Sequence, residues 1–394
     1  MKLQLFTIVC AVLAPASAAF SGDIVGYWNG RVNDVLVASS PRISSLREAY
    51  YGAVVHTAIL KAADDTERRS ANIRQTAISH AAHNILVRHF GGQWRSIGAF
   101  FRQVEDQIGA STQERRQGKE IGERAAAQVL AARVGDNFEE YIRYDFLPVA
   151  PGIYQPTPPS NASPADPHGG NVRPFGGIRR LPVPWAAPPN PRAAGYIAHL
   201  QELREKGART NHTRTADETE IGLYWLESSI IFWNRFARAA VGTTLDSSIS
   251  RAALFYARLS WGIANAGIIG FDSKNRYNAW RPITALHFTA PYLAGGVVYN
   301  DPTWIPLIDT PGHQDYLSGH SVYAAGAAGI IRAHLGTDPQ PPDRPEHSIN
   351  TAVLENGSSR VFIGAHFRYA TDEGTRAGFR AASDVWSNRA ENYL

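Results

Sequence analysis

Apolar residues along the chain recur at spacings of three and four far more often than at two. Between 44 and 63, Leu46, Ala49, Ala53, Ala58 and Leu60 stand among polar residues. Between 70 and 90, Ile73, Ala77, Ala81, Ile85 and Val87 repeat the behaviour. An α-helix turns every 3.6 residues, so such spacing lays a stripe of apolar side chains along one face. The same pattern predicts helices over 118–134, 192–206, 217–240, 247–269, 283–288, 321–335 and 372–389. Sustained two-residue alternation is rare, which leaves room for one or two short strand pairs in loops. The expected fold is all-α: two packed helical bundles in one globular unit, joined by long Pro/Gly-rich loops.

The stretch 148–191 breaks the helical pattern. It holds Pro156-Thr157-Pro158-Pro159 and Pro188-Pro189-Asn190-Pro191, and proline both removes a backbone donor and clashes with the preceding helical turn. It reads as a Pro-rich surface connection between two helical halves. A smaller Pro-rich loop covers 338–345. At the start, Lys2, the apolar run 3–13 and Ala16-Ser17-Ala18 have the form of a secretory signal, too short to span a bilayer. The expected organisation is therefore a signal at 1–18, one helical domain at 19–394, and secretion to the extracellular space. Asn161-Ala162-Ser163, Asn211-His212-Thr213 and Asn356-Gly357-Ser358 are glycosylation sequons that fit this route.

Composition narrows the partners. A formal charge of +4 over 394 residues is too weak a field for nucleic acid or an acidic membrane to be the main partner. No stretch after the signal is long and apolar enough for stable membrane insertion. The only cysteine, Cys10, and the only methionine, Met1, both lie in the signal. Removal of that segment leaves a chain without thiol or thioether, the side chains most readily oxidised by peroxide or hypohalous acid.

Three short segments in the last third carry the candidate chemistry. Lys274 stands seven residues before Arg281-Pro282, and on a regular helix that is about two turns, so both cations would share a face. Pro282 opposes this, because it suits the start of a new helix and disfavours helix at Arg281. Ser318-Gly319-His320 opens an Ala/Gly/Ile-rich run. A helix start there would offer unpaired N–H groups and a positive dipole end to an anion. Ser359-Arg360 is followed at a distance of six residues by His366, adding a guanidinium and an imidazole. Taken singly, each segment reads as well as surface cations, an ordinary helix cap or a structural histidine.

In that order and at those spacings, the three segments resemble the superfamily of vanadium-dependent haloperoxidases and type 2 phosphatidic acid phosphatases. The likeness extends in diluted form over most of the chain, including Trp280 before Arg281-Pro282. The resemblance implies an oxyanion pocket for vanadate. Lys274, Arg281 and Arg360 would neutralise its equatorial oxygens, and Ser318 and the Gly319 N–H would donate hydrogen bonds. His366 would be the apical metal ligand and His320 the acid–base histidine opposite. Hydrogen peroxide, a halide and small organic acceptors would be the partners, and homo-oligomers occur among relatives.

Local features lean toward the haloperoxidases. His313, five residues before Ser318, occupies a position that tends to be histidine in the algal-type bromoperoxidases of this family and phenylalanine in the fungal-type chloroperoxidases. This favours bromide and assigns His313 to tuning peroxide protonation. Phe271 offers an aromatic wall where fungal-type enzymes often have tryptophan. Many phosphatase members carry an aspartate four residues after the last histidine; here that position is Ala370, with Asp372 two residues on. Leu317 replaces the proline that often precedes Ser-Gly-His. A secreted acid phosphatase using His366 as nucleophile and His320 as acid is the first alternative, and a non-catalytic oxyanion-binding protein the second. His80, His83, His89, His287 and His334, with Arg68-Arg69 and Arg179-Arg180, carry no assigned role.

Overall fold

Helices begin where a side-chain oxygen can take up the free N–H groups of the first turn, and this chain caps them repeatedly. The computed structural model describes residues 23–293, 296–340, 347–388, 390 and 392–394; the predicted signal at 1–18, with Met1 and Cys10, lies outside them. Asp23 caps α1 (Ile24–Val37), Ser44 caps α2 (Ser45–Asp65) and Ser70 caps α3 (Ala71–His89). After α4 (Trp94–Glu105), Ser111 and Glu114 close a reciprocal capping box on α5 (Thr112–Ala132). Those bonds hold the Glu114 carboxyl down at about 2, led by the Ser111 N–H. The second half comprises α6 (Tyr196–Glu202), α7 (Ala216–Tyr224), α8 (Ser229–Val241), α9 (Ile249–Tyr277) and α10 (Pro282–His287). It ends with α11 (Gly319–Leu335), α12 (Ile349–Phe362) and α13 (Arg368–Ser387).

The all-α expectation holds among the described residues, where β pairing is confined to the isolated bridges Ile153–Ala279 and Ala208–Pro306. One helical group is built from α1, α2, α3 and α5, the other from α9, α11, α12 and α13, and α2 packing on α9 joins them. The 29-residue α9 is buried almost all round from Ala252 to Lys274, as a helix between two layers must be. Several predicted boundaries move. The run read as one helix over 217–240 is two, broken at 225–228, and the run read as ending at 269 continues to Tyr277. The stretch 148–191 is less superficial than expected. Tyr154, Val172, Phe175 and Leu181 are buried, and the Phe175 backbone exchanges two bonds with the Asn265 side chain on α9 (2.9 and 3.2 Å).

Small residues let α11 and α13 approach closely. A Cβ on Gly378 would lie 2.3 Å from the Val322 carbonyl oxygen, which no real side chain tolerates. This contact holds the start of α11 against α13. Gly378→Ala is therefore expected to destabilise the fold by about 1–3 kcal/mol through forced backbone movement. A urea midpoint equal to wild type, with an unchanged slope, would show that the helices do not pack this tightly.

Candidate active site

Lys274 sits one turn before the end of α9 and is 1% exposed. Its Nζ donates to the carbonyls of Gln314 (2.7 Å) and Asp315 (3.2 Å). The helix stops at Asn278, which adopts the left-handed region (φ 46°). Ala279 then bridges to Ile153, and Arg281 is extended at the head of α10, with Pro282 in its first position. Lys274 and Arg281 thus converge across a turn and not along one helix face. Arg281 is fully buried. Its Nε donates to the His313 carbonyl (2.6 Å) and its Nη1 to the Ala365 carbonyl (2.7 Å). Its guanidinium also lies 2.9 Å from His313 Nδ1 and 3.1 Å from His366 Nε2.

The loop 311–318 delivers the second segment. The Ser318 N–H donates to the Ala370 carbonyl (3.0 Å), so Ala370 fixes the helix start even though it carries no carboxylate. Leu317, in the place often taken by proline, is fully buried. Ser318 is the N-cap residue of α11, but its side chain makes no capping bond. Its Oγ is buried with no hydrogen-bond partner among the described residues. The leading N–H groups of α11 and this hydroxyl therefore converge without an internal acceptor. His320, in the first turn, has its Nε2 3.1 Å from the Glu227 carbonyl and 3.3 Å from Arg360 Nη1.

The third segment closes the ring. Arg360 lies in the last turn of α12. After it, Gly364 turns the chain at φ 73°, where a side chain would be strained and would strike the Gly207 carbonyl oxygen at 2.6 Å. The Ala365 and His366 N–H groups both fold back onto the Arg360 carbonyl (2.9 and 3.2 Å). That turn explains the six-residue spacing, because it returns the imidazole beside the guanidinium. Arg360 Nε donates to Ser359 Oγ (2.9 Å) and Nη2 to the Trp225 carbonyl (2.6 Å). The break between α7 and α8 is what frees the Trp225 and Glu227 carbonyls for Arg360 and His320. Reading 217–240 as one helix hid that function.

Lys274, His313, Gly319, His320, Arg360 and His366 line one cavity of about 610 Å³. Arg281 stands behind His366, and Phe271 forms part of the wall. Burial dominates the electrostatics. It pushes the Lys274 ammonium well below its usual range, aided by Arg281 and opposed by Asp315. It lowers Arg281 to about 10 and Arg360 to about 9. His313, His320 and His366 are all held well below the ordinary imidazole value, by burial first and neighbouring cations second. They are therefore neutral near pH 7.

Among the described residues, only one carboxylate touches these groups directly. Asp315 Oδ1 is 2.8 Å from His366 Nδ1 and 3.8 Å from Arg281 Nη1. Burial raises its carboxyl to about 7, against Arg281 and Lys274, which lower it. Three buried cations facing one contacting carboxylate leave a positive excess that a di- or trivalent tetrahedral oxyanion would neutralise. The Ser318 hydroxyl and the α11 N-terminus supply its hydrogen bonds. Vanadate, whose oxygens accept and do not donate when ionised, fits this donor set.

Asp315 is the residue that sequence reasoning missed. Attention fell on the four-residue offset after His366, where Ala370 stands, and on Asp372, which lies exposed on α13. The available clue was a lone carboxylate between His313 and Ser318. The remaining histidines lie elsewhere. The His80 and His83 rings pack on Phe101 (4.7 and 4.6 Å between centroids) and His89 on Tyr51. His287 Nε2 lies 2.8 Å from the Trp304 carbonyl, and His334 packs on Phe255.

Residues 254–348 match the family model described as the VCPO second helical-bundle domain. Over 93% of this chain and 96% of the other, the fold superposes on the first bacterial vanadium-dependent iodoperoxidase structure at a TM-score of 0.78 and 19% identity. A holo-type bacterial vanadium-dependent chloroperoxidase superposes at 0.63 and 15% identity, covering 87% of this chain and 91% of that one. Its apo-type counterpart gives 0.66 and 16%, covering 88% and 95%. No curated protein sequence matches the chain. The chain thus matches the vanadium-dependent haloperoxidases in one sequence domain and in its fold over nearly its whole described length.

Proposed function

We propose that this chain, built on the vanadium-dependent haloperoxidase fold, is a vanadate-dependent haloperoxidase that uses hydrogen peroxide to oxidise halide to hypohalous acid. The observation that carries the reading is the meeting at one cavity of three imidazoles, an uncapped helix N-terminus and three buried cations, of which Arg281 stands behind His366. Lys274, Arg281 and Arg360 hold the oxyanion by charge, with the Ser318 hydroxyl and the Gly319 N–H as donors. His366 is its protein ligand. Bound vanadate supplies Lewis-acid activation of peroxide without a change of oxidation state. Around it, neutral His320 accepts and returns protons. The Lys274 ammonium donates a hydrogen bond into the cavity and withdraws electron density from the reacting oxygen. His313, whose imidazole lines the same cavity, provides a second neutral ring beside Arg281.

Bromide is the halide we favour, on the strength of His313 and Phe271 in the wall. Iodide deserves the parallel measurement because the solved iodoperoxidase is among the matches. Small organic acceptors are halogenated by the product. No helix among the described residues is long and apolar enough to cross a membrane, and we take the N-terminal pattern to direct secretion.

A paired assay tests the function. Purified protein incubated with orthovanadate should oxidise bromide with hydrogen peroxide in a vanadate-dependent manner. It should hydrolyse an aryl phosphate slowly or not at all. Hydrolysis that vanadate inhibits, without halide oxidation, would instead establish the phosphatase use of the same pocket, with His366 attacking phosphorus. Anion binding with neither activity would leave a binding protein.

A further inference from the structure

A neutral imidazole has two tautomers, and only one presents a lone pair to a bound oxyanion or metal. What the other nitrogen bonds to decides which is populated. In His366, Nδ1 is 2.8 Å from Asp315 Oδ1, and both side chains are buried. The ring lines the cavity, whereas Asp315 is fully enclosed behind it. Nδ1 is therefore the edge of the ring that meets the enclosed carboxylate, and Nε2, 3.1 Å from Arg281 Nη1, is the other ring nitrogen.

Asp315 is itself held on several sides. Its N–H donates to the Ala279 carbonyl (3.0 Å) and its carbonyl accepts from Lys274 Nζ (3.2 Å). Arg281 Nη1 stands 3.8 Å from its carboxylate, and the Phe367 N–H supports its charge. One residue thus touches Lys274 through its main chain, and Arg281 and His366 through its side chain. The position from which a carboxylate would otherwise reach the last histidine is occupied by Ala370, and Asp372 is exposed.

Building on the oxyanion reading above, we propose that Asp315 is the positioning residue of His366. It accepts the Nδ1 proton, fixes the ring and leaves Nε2, 3.1 Å from Arg281 Nη1, as the nitrogen whose lone pair is offered to the bound oxyanion's central atom. In this chain the orienting carboxylate comes from the loop before Ser318 and not from the helix that follows His366.

The test uses the full-length protein free of vanadate, labelled with ¹⁵N-histidine and studied near neutral pH. The His366 ring signals are identified by their loss in His366→Gln. Wild type should show the proton on Nδ1. In Asp315→Ala the Nε2–H tautomer should become populated. Affinities for inorganic phosphate and for vanadate, measured by equilibrium dialysis, should fall by about 10–100-fold, as when an outer-shell partner is lost. A wild-type ring protonated on Nε2 would overturn the proposal whatever the variant does. So would an Asp315→Ala protein whose His366 spectrum is unchanged and whose phosphate affinity stays within twofold. None of these readouts needs peroxide or halide, so failure of the haloperoxidase assay and failure of this assignment are distinguishable.

Discussion

His366→Ala should abolish vanadate retention and halide oxidation together, whereas His320→Ala should keep much of the binding and lose turnover. The contrast follows from where each ring sits. His366 lies against Arg281 and Asp315 at the base of the cavity (3.1 and 2.8 Å), where it is assigned the only direct protein bond to the oxyanion. Losing a direct ligand costs more than the roughly 100-fold upper range for an outer-shell partner. His320 stands between the Glu227 carbonyl and Arg360. There, burial and the guanidinium keep it neutral and able to take a proton. Removing a general acid–base group costs about 10²–10⁴-fold in turnover, while three cations and the α11 N–H groups remain to hold the anion. Dialysis gives the vanadate affinities and steady-state kinetics at saturating vanadate gives kcat. Equal losses of affinity in the two variants would remove the division of labour, and unchanged kcat in His320→Ala would remove its role.

How much of this was readable beforehand depends on which physical feature carried the information. The eight candidate residues of the pocket were legible because identity and spacing sufficed. The reasons they meet were not. Lys274 and Arg281 meet through Asn278 in the left-handed region, and Arg360 and His366 through Gly364, and neither turn leaves a periodic trace. Helix α12 was missed for a related reason. Beside Ile349, Ala352, Val353 and Val361 it buries Glu355, Asn356, Ser359 and Arg360, so polar residues interrupt its inward face and blur the apolar stripe. Helix α1 directly follows the apolar start of the chain and was overlooked beside it. Asp315 was invisible because its value lies in a contact across 51 residues of sequence. The Pro-rich stretch was placed at the surface on composition, yet Tyr154 and Phe175 reach the core. Prolines there exclude helix but not burial.

Arg360→Leu separates the stability of the fold from the occupancy of the pocket. Arg360 is 4% exposed and has no carboxylate partner among the described residues; its hydrogen bonds run to Ser359 Oγ, the Trp225 carbonyl and the His320 ring. Burial alone lowers it to about 9. Since neutral pH lies below that value, the guanidinium is charged and its desolvation cost is present in full in the anion-free protein. Leucine removes the cost and also strands the Trp225 carbonyl, a loss of about 1–3 kcal/mol. Without anion, the two terms offset, and the variant should unfold within about 2 kcal/mol of wild type. With anion the outcome reverses. Removing one partner of a buried charge pair costs about 3–5 kcal/mol, a loss of affinity of roughly 100- to 4,000-fold. Vanadate at 100 times the wild-type Kd should stabilise wild type by about 2.7 kcal/mol and the variant by less than about 0.4 kcal/mol. Chemical denaturation with and without vanadate measures both quantities. A variant that loses more than about 4 kcal/mol without anion, yet keeps the full vanadate increment, would make Arg360 a strut of the fold and place the anion elsewhere.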